Sequence, residues 1–188
     1  MRILIGIPTG GTIHPETYAT IWKMRGKADF AYVRGHDTGI SRNMLARMAI
    51  DGNYDYILYV DADMVVPENA LDLLLQGDAD VVSALYPKRS DHGKANVYRE
   101  SPGSGLPYAQ ADGLPPRIPV SFCGFGCVLV KVDLFKRLEY PYFQFCEYPN
   151  FDYLSEDFFF CQEALRIGAS IEADTRVRCG HILEEVCR

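Results

Sequence analysis

Apolar residues fall in short runs separated by polar breaks through the first half of the chain. Residues 2–7 form an apolar run of strand length, and Pro8-Thr9-Gly10-Gly11-Thr12 ends it as a loop. Residues 16–25 have helical character, and 28–33 read as a second strand. Ser41 reads as an N-cap for a helix over 42–50, where Met44, Leu45 and Met48 keep apolar spacing and Asp51-Gly52-Asn53 closes it. Tyr56–Val60 is a third strand. Pro67 opens a helix whose Ala70, Leu71, Leu74 and Leu75 face inward, and 80–85 is a fourth strand. Strand–helix alternation at this spacing predicts an α/β fold with a mostly parallel central sheet flanked by helices. Ligands in such sheets bind beyond the carboxyl ends of the strands.

The pattern changes after Pro87. Residues 87–119 are rich in Gly, Pro and polar residues, and contain Ser101-Pro102-Gly103-Ser104-Gly105 and Leu114-Pro115-Pro116. A stretch of that length without periodicity reads as an irregular loop or lid. Order returns over 120–132, around Gly124-Phe125-Gly126, followed by a short helix over 132–138. Residues 140–160 hold 10 of the 23 aromatic residues, which fill core or stack on a sugar. The three consecutive Phe at 158–160 cannot all face one way on a helix. Ser155 reads as the N-cap of a helix ending at Gly168, and 171–173 and 176–179 as two short strands.

A chain of 188 residues fits one domain with a real core. Acidic and basic residues balance over 1–138, so the net charge of −6 comes from the last fifty residues. There is no basic stripe, which excludes nonspecific nucleic-acid binding as an expectation. No apolar run approaches the roughly 20 residues that span a bilayer, and the N-terminus is a strand rather than a leader, so a cytoplasmic protein is expected. Six cysteines without a Cys-x-x-Cys pair read as buried thiols rather than a zinc site.

Candidate chemistry starts at Asp61-Ala62-Asp63, directly after the Tyr56–Val60 strand. An extended chain points residues 61 and 63 to one side, and two hard anionic ligands there suit Mg²⁺ or Mn²⁺. A second pair, Glu156-Asp157, stands at a helix start, where capping explains it as well as a general base does. His181 near the C-terminus suits a third metal ligand chemically; a surface or core histidine is the plainer reading. Arg42-Asn43 at a helix start reads as a phosphate or ribose contact, or as a solvated helix face. Gly124-Phe125-Gly126 reads as a close backbone approach or a tight bend.

In this order the segments resemble the GT-A-fold glycosyltransferases, particularly the inverting group that uses nucleotide sugars. The carrying segments are the opening strand to Pro8, Ser41-Arg42-Asn43, Asp61-Ala62-Asp63, Gly124-Phe125-Gly126, Ser155-Glu156-Asp157 and Gly180-His181. The resemblance covers most of the chain and implies a single GT-A-like, Rossmann-like domain over 1–188. Its nucleotide-binding half would be 1–86, its loop or lid 87–119, and its acceptor and catalytic half 120–188. It implies metal contacts at Asp61, Asp63 and His181, with Asp61 also a ribose contact. It implies Asp157 as the base that deprotonates an acceptor hydroxyl, and Glu156 as its neighbour holding the acceptor. Pro8, Thr9 and Arg42 would surround the nucleotide, and Asp37 would read the nucleobase. The implied partners are a nucleoside-diphosphate sugar, Mn²⁺ or Mg²⁺, and a hydroxyl acceptor, with acceptor choice in 87–119 and 140–153.

The chain departs from that pattern at Pro8-Thr9-Gly10-Gly11-Thr12, which lacks the acidic residue that usually follows the opening strand. Only seven residues follow His181. A sugar nucleotidyltransferase shares the layout, but its phosphate loop continues into Arg and Lys, where this chain has Ile13-His14-Pro15. A haloacid-dehalogenase-type phosphatase carries its Asp-x-Asp on the first strand, not at position 61. The non-enzyme alternative is a nucleotide-sugar-binding module with a degenerate site.

Overall fold

A strand buried on both faces of a sheet must be apolar at consecutive positions, and the N-terminal run is. It forms β1 (Ile3–Thr9), buried throughout, followed by α1 (Pro15–Trp22) and β2 (Asp29–Arg34). Then come α2 (Thr38–Asp51), β3 (Tyr56–Val60), β4 (Met64–Val65), α3 (Ala70–Leu74) and β5 (Val81–Leu85). The middle of the chain gives β6 (Lys94–Tyr98), β7 (Gly105–Pro107), β8 (Arg117–Pro119), β9 (Phe122–Cys123), β10 (Cys127–Lys131) and α4 (Val132–Arg137). The last part gives β11 (Cys146–Glu147), β12 (Tyr153–Leu154), α5 (Glu156–Arg166), β13 (Ile171–Arg178) and β14 (Gly180–His181). This computed structural model describes residues 1–88, 94–99, 105–107, 113–147 and 153–182.

The described residues build a seven-stranded sheet in the order β2-β1-β3-β10-β5-β13-β8. β1 runs parallel to β2 and β3, and β13 parallel to β5. β10 lies antiparallel between β3 and β5, and β8 antiparallel at the far edge. This mixed, mostly parallel sheet flanked by helices is the α/β class the sequence predicts. The topology has a direct consequence for the site. The carboxyl ends of the parallel strands β1, β3, β5 and β13 share one edge of the sheet, and the antiparallel β10 brings its amino end there.

Alternation along β3 divides the core. Ile57 and Tyr59 pack with Leu45, Ala46 and Ala49 of α2, Phe135 of α4 and Phe160 of α5. Leu58 and Val60 face the other way, with Ile21 of α1 and Leu71 and Leu74 of α3. The three-Phe run resolves as expected for a helix: Phe160 is buried while Phe158 and Phe159 are half-buried. From the aromatic-rich segment Tyr142 and Phe143 join the core, and Tyr140 and Phe145 stay exposed.

Some sequence expectations shift. The N-cap of α2 is Asp37, whose Oδ1 accepts from Ile40 N at 2.8 Å, so the helix starts a turn earlier than Ser41 suggests. Ser41 lies inside the helix, fully buried. The two short C-terminal strands are one strand, β13, with an irregular register between Asp174 and Arg178. The stretch 87–119 carries β6, β7 and β8, while 89–93, 100–104 and 108–112 of that loop or lid lie outside the described residues. So do 148–152 of the acceptor segment, and 183–188 with Cys187.

Candidate active site at the carboxyl edge of the sheet

Residues 61–63 are not a continued strand. Beyond Val60 the chain turns, with Met64 N donating to Asp61 O at 3.2 Å, and the two carboxylates diverge to different partners. Each backbone group of the turn is held by a different element. Asp61 N donates to Gly126 O at 2.9 Å, which extends the β3–β10 ladder by one bond. Ala62 O accepts from His14 N at 2.9 Å and from Thr17 Oγ1 at 3.0 Å, both at the start of α1. Asp63 O accepts from Ile182 N at 2.8 Å, beside the β4–β14 pair. A turn fixed from three sides presents its side chains in a preset geometry.

Asp63 meets His181. Their Oδ2 and Nε2 atoms are 3.4 Å apart, because β14 pairs His181 with Met64. The other ring nitrogen, Nδ1, lies 3.1 Å from Pro87 O. If Nδ1 carries the proton to that carbonyl, Nε2 presents its lone pair toward Asp63, the arrangement that orients metal-binding imidazoles. An oxygen and a nitrogen at this separation fit neighbouring positions on a divalent cation, whose other positions go to water and phosphate oxygens. Among the described residues no group of three or more His, Cys, Asp or Glu side chains has metal-holding geometry. The fit therefore rests on the Asp63–His181 pair, with Asp61 directed elsewhere.

Asp61 Oδ1 accepts from Arg42 Nη2 at 2.9 Å, and Arg42 Nη1 donates to Glu156 Oε1. Arg42 is 2% exposed and Glu156 6%. Burial alone would lower the Arg42 pKa, but Asp61, Glu156 and Asp157 outweigh it and hold the guanidinium above its ordinary value. Burial pushes the Glu156 carboxyl up, against the pull of Arg42. Arg42 is thus an interior strut rather than a group on the cleft wall. Asn43 is fully engaged: its Nδ2 donates to Gly39 O and Phe143 O, and its Oδ1 accepts from Tyr142 N and Phe143 N.

Asp157 stands on the first turn of α5, where its Oδ1 accepts from Ser155 Oγ and from Phe158 N at 2.9 Å. It is half-buried. Its neighbour Glu156 shares Arg42 with Asp61, so α5 begins beside the turn that follows β3.

Tyr86 was not among the residues the sequence singled out. It is 4% exposed, and its hydroxyl accepts from Gly126 N at 2.9 Å and Asn96 Nδ2 at 2.7 Å. Its ring meets His181 edge-on at 5.8 Å. The only signal was a polar-tipped aromatic at the end of a buried strand. Tyr86 explains Gly124-Phe125-Gly126: a Cβ at 124 would lie 1.7 Å from Asn96 Nδ2 and 2.4 Å from the Tyr86 hydroxyl, and one at 126 would lie 2.7 Å from Tyr86 Cζ. The motif is a close approach of backbone to side chain, and Phe125 between the glycines is a core residue under Arg42.

An open cleft of about 360 Å³ lies against this edge, lined by residues 8–12, His14, Thr38 and 61–63. Pro8 and Thr9 line it, although both are buried. The Thr9 hydroxyl donates to Thr12 O at 2.8 Å and accepts from Gly11 N at 3.2 Å, so it shapes the loop. Asp37 caps α2 through its Oδ1 and is not in the lining of the cleft; Thr38, its neighbour, is.

No protein-family model matches the chain, and no curated protein matches it in sequence. Solved structures do match in fold. A197 from STIV superposes with a TM-score of 0.73 at 17% identity, over 98% of this chain and 87% of that one. GalNAc-T7, solved with UDP, GalNAc and Mn²⁺, gives 0.63 at 13% identity, over 99% of this chain and 44% of that one. The inositol-1-phosphate CTP transferase from T. maritima gives 0.54 at 8% identity, over 97% and 89%. At these identities the likeness is one of fold.

Proposed function

We propose that the protein is a metal-dependent glycosyltransferase that moves a sugar from a nucleoside-diphosphate sugar to an acceptor hydroxyl with inversion. The observation that carries this reading is that Asp61 and Asp63 line an open cleft, with His181 against Asp63 and with α5, which bears Asp157, joined to Asp61 through Arg42. The solved relatives add support at the level of fold, one of them holding UDP, GalNAc and Mn²⁺.

In this reading the loop 8–12 and Thr38 receive the nucleotide, and Asp61 contacts its ribose. Asp63 and His181 hold Mn²⁺ or Mg²⁺. When bound, that cation neutralises charge developing on the departing nucleoside diphosphate. Asp157 takes the proton from the acceptor hydroxyl as its oxygen attacks the anomeric carbon. Ser155 and the α5 backbone hold one oxygen of Asp157, which leaves the other for that proton. Glu156, buried against Arg42, serves as a counter-ion and does not hold the acceptor.

A nucleotidyltransferase is the second reading, favoured by the fold shared with the CTP transferase. The two differ in which bond breaks. Incubating the chain with UDP-, GDP- and TDP-sugars and Mn²⁺ should release free sugar and nucleoside diphosphate. Pyrophosphate formed from a nucleoside triphosphate and a sugar phosphate would move the assignment to the second reading. Nucleotide binding without turnover of any donor would leave a binding module.

A further inference from the structure

Taking a guanidinium out of water is costly unless its partners replace the lost hydration. Arg42 nonetheless sits at 2% exposure, held by two carboxylates. One is Asp61 in the turn after β3, and the other is Glu156, the first residue of α5. Its Nε finds no acceptor among the described residues, so the two carboxylates, together with the Phe125 ring 5.4 Å away, fix the orientation of the guanidinium. Its backbone is tied down too, since the Tyr59 hydroxyl donates to Arg42 O at 3.1 Å. Arg42 joins the turn that borders the cleft to the helix that bears Asp157.

We propose that Arg42 is a positioning residue for the donor. From inside the protein it fixes the rotamer of Asp61 and anchors it to Glu156, so that the nucleotide contact and the base are set by one buried frame. Arg42 does not touch the ligand; it acts through Asp61. With one oxygen committed to Arg42, Asp61 keeps the other for the nucleotide, while the cation belongs to Asp63 and His181. This inference rests on the nucleotide-sugar reading.

The test is calorimetric titration of the tightest binder among UDP, GDP and TDP, with Mn²⁺, into the full chain. Four forms are compared: wild type, Asp61→Asn, the double variant Arg42→Met with Glu156→Met, and the triple variant that adds Asp61→Asn to it. Replacing both removes the fully buried pair, a change buried pairs often tolerate, and the Asp61 carboxylate left behind is 32% exposed and can be hydrated. The expected result is an affinity loss of about tenfold or more for Asp61→Asn and for the double variant, the size of a hydrogen bond to a charged group. Adding Asp61→Asn to the double variant should cost nothing further, since Arg42 acts only through Asp61. Binding of Mn²⁺ alone, followed by electron paramagnetic resonance, should stay within about threefold in all four, a limit set by the sub-kcal/mol scatter of indirect effects. Wild-type nucleotide affinity in the double variant would make the pair mere structure and overturn the proposal. Additive losses would overturn it as well, by making Arg42 a direct ligand. If the double variant does not fold, Arg42→Lys takes its place, because it keeps the charge and loses the fork. The same loss of affinity at an unchanged melting temperature is then expected, and unchanged affinity overturns the role. Failure of the unsubstituted protein to bind any of the three nucleotides overturns the donor reading and the positioning role with it.

Discussion

At the scale of single residues, neighbouring carboxylates have separate fates because each meets a different environment. Asp63→Ala should abolish Mn²⁺-dependent turnover, since it removes the carboxylate that faces His181. Asp157→Asn should leave nucleotide affinity unchanged and lower kcat by about 10²–10⁴, the range for a lost general base. Full transfer by Asp157→Asn would remove it from that role. Glu156 gives a pH test. Burial raises its pKa in the folded chain above the unfolded value, so between the two values the folded state binds the extra proton. Stability contributed at this site therefore falls as pH rises through that window and is level above it. Melting curves should show the wild type losing stability relative to Glu156→Gln across the window; parallel curves would count against it. The cysteines divide by burial. Cys123, Cys127, Cys161 and Cys179 are buried, and burial pushes the Cys161 thiol well up. Iodoacetamide should modify the half-buried Cys146 before any of those four, read by peptide mass spectrometry.

At the scale of elements, the pieces that matter are ends and turns. The Gly124–Gly126 segment enters β10 beneath Tyr86, and the collision distances leave no room for a side chain at either glycine. Gly126→Ala should cost about 1–3 kcal/mol in urea unfolding, the usual cost of overpacking. Because Asp61 N bonds to Gly126 O, the same change should weaken nucleotide binding. A stable variant with normal binding would separate the segment from the site. Asn43 ties α2 to residues 142–143 through three hydrogen bonds, so Asn43→Ala leaves several buried backbone groups unpaired. Each such group costs about 1–3 kcal/mol.

At the scale of the whole molecule, the sheet order decides what meets what. The interior strands β1, β3, β10 and β5 are packed on both faces, whereas β2 is an edge strand with most of its side chains exposed. Amide exchange should be slowest in the interior strands, opening only with global unfolding, and faster in β2. The carboxyl edge gathers its residues because the five strands that run the same way end there and β10 begins there. The ion pair between Arg42 and Glu156 spans 114 positions of sequence, and the His181–Pro87 contact spans 94. No local propensity specifies such pairings.

The sequence by itself determined the strands and helices whose periodicity is strong, such as Tyr56–Val60, and hence the α/β class. It also placed Asp61, Asp63 and the loop after β1 at the ligand-bearing edge, because that follows from where strands end. Only the tertiary structure decided what each carboxylate meets. Residues 61–63 turn rather than extend, which sends Asp61 to Arg42 and Asp63 to His181. It turned Arg42 from a surface contact into a buried strut, made Asp37 the cap of α2, and revealed Tyr86 behind the two glycines. Helix and strand periods are written in neighbours along the chain. The partner of a charged or small residue is set by what the fold brings against it from far away, and burial then decides whether that residue binds a ligand or holds the protein together.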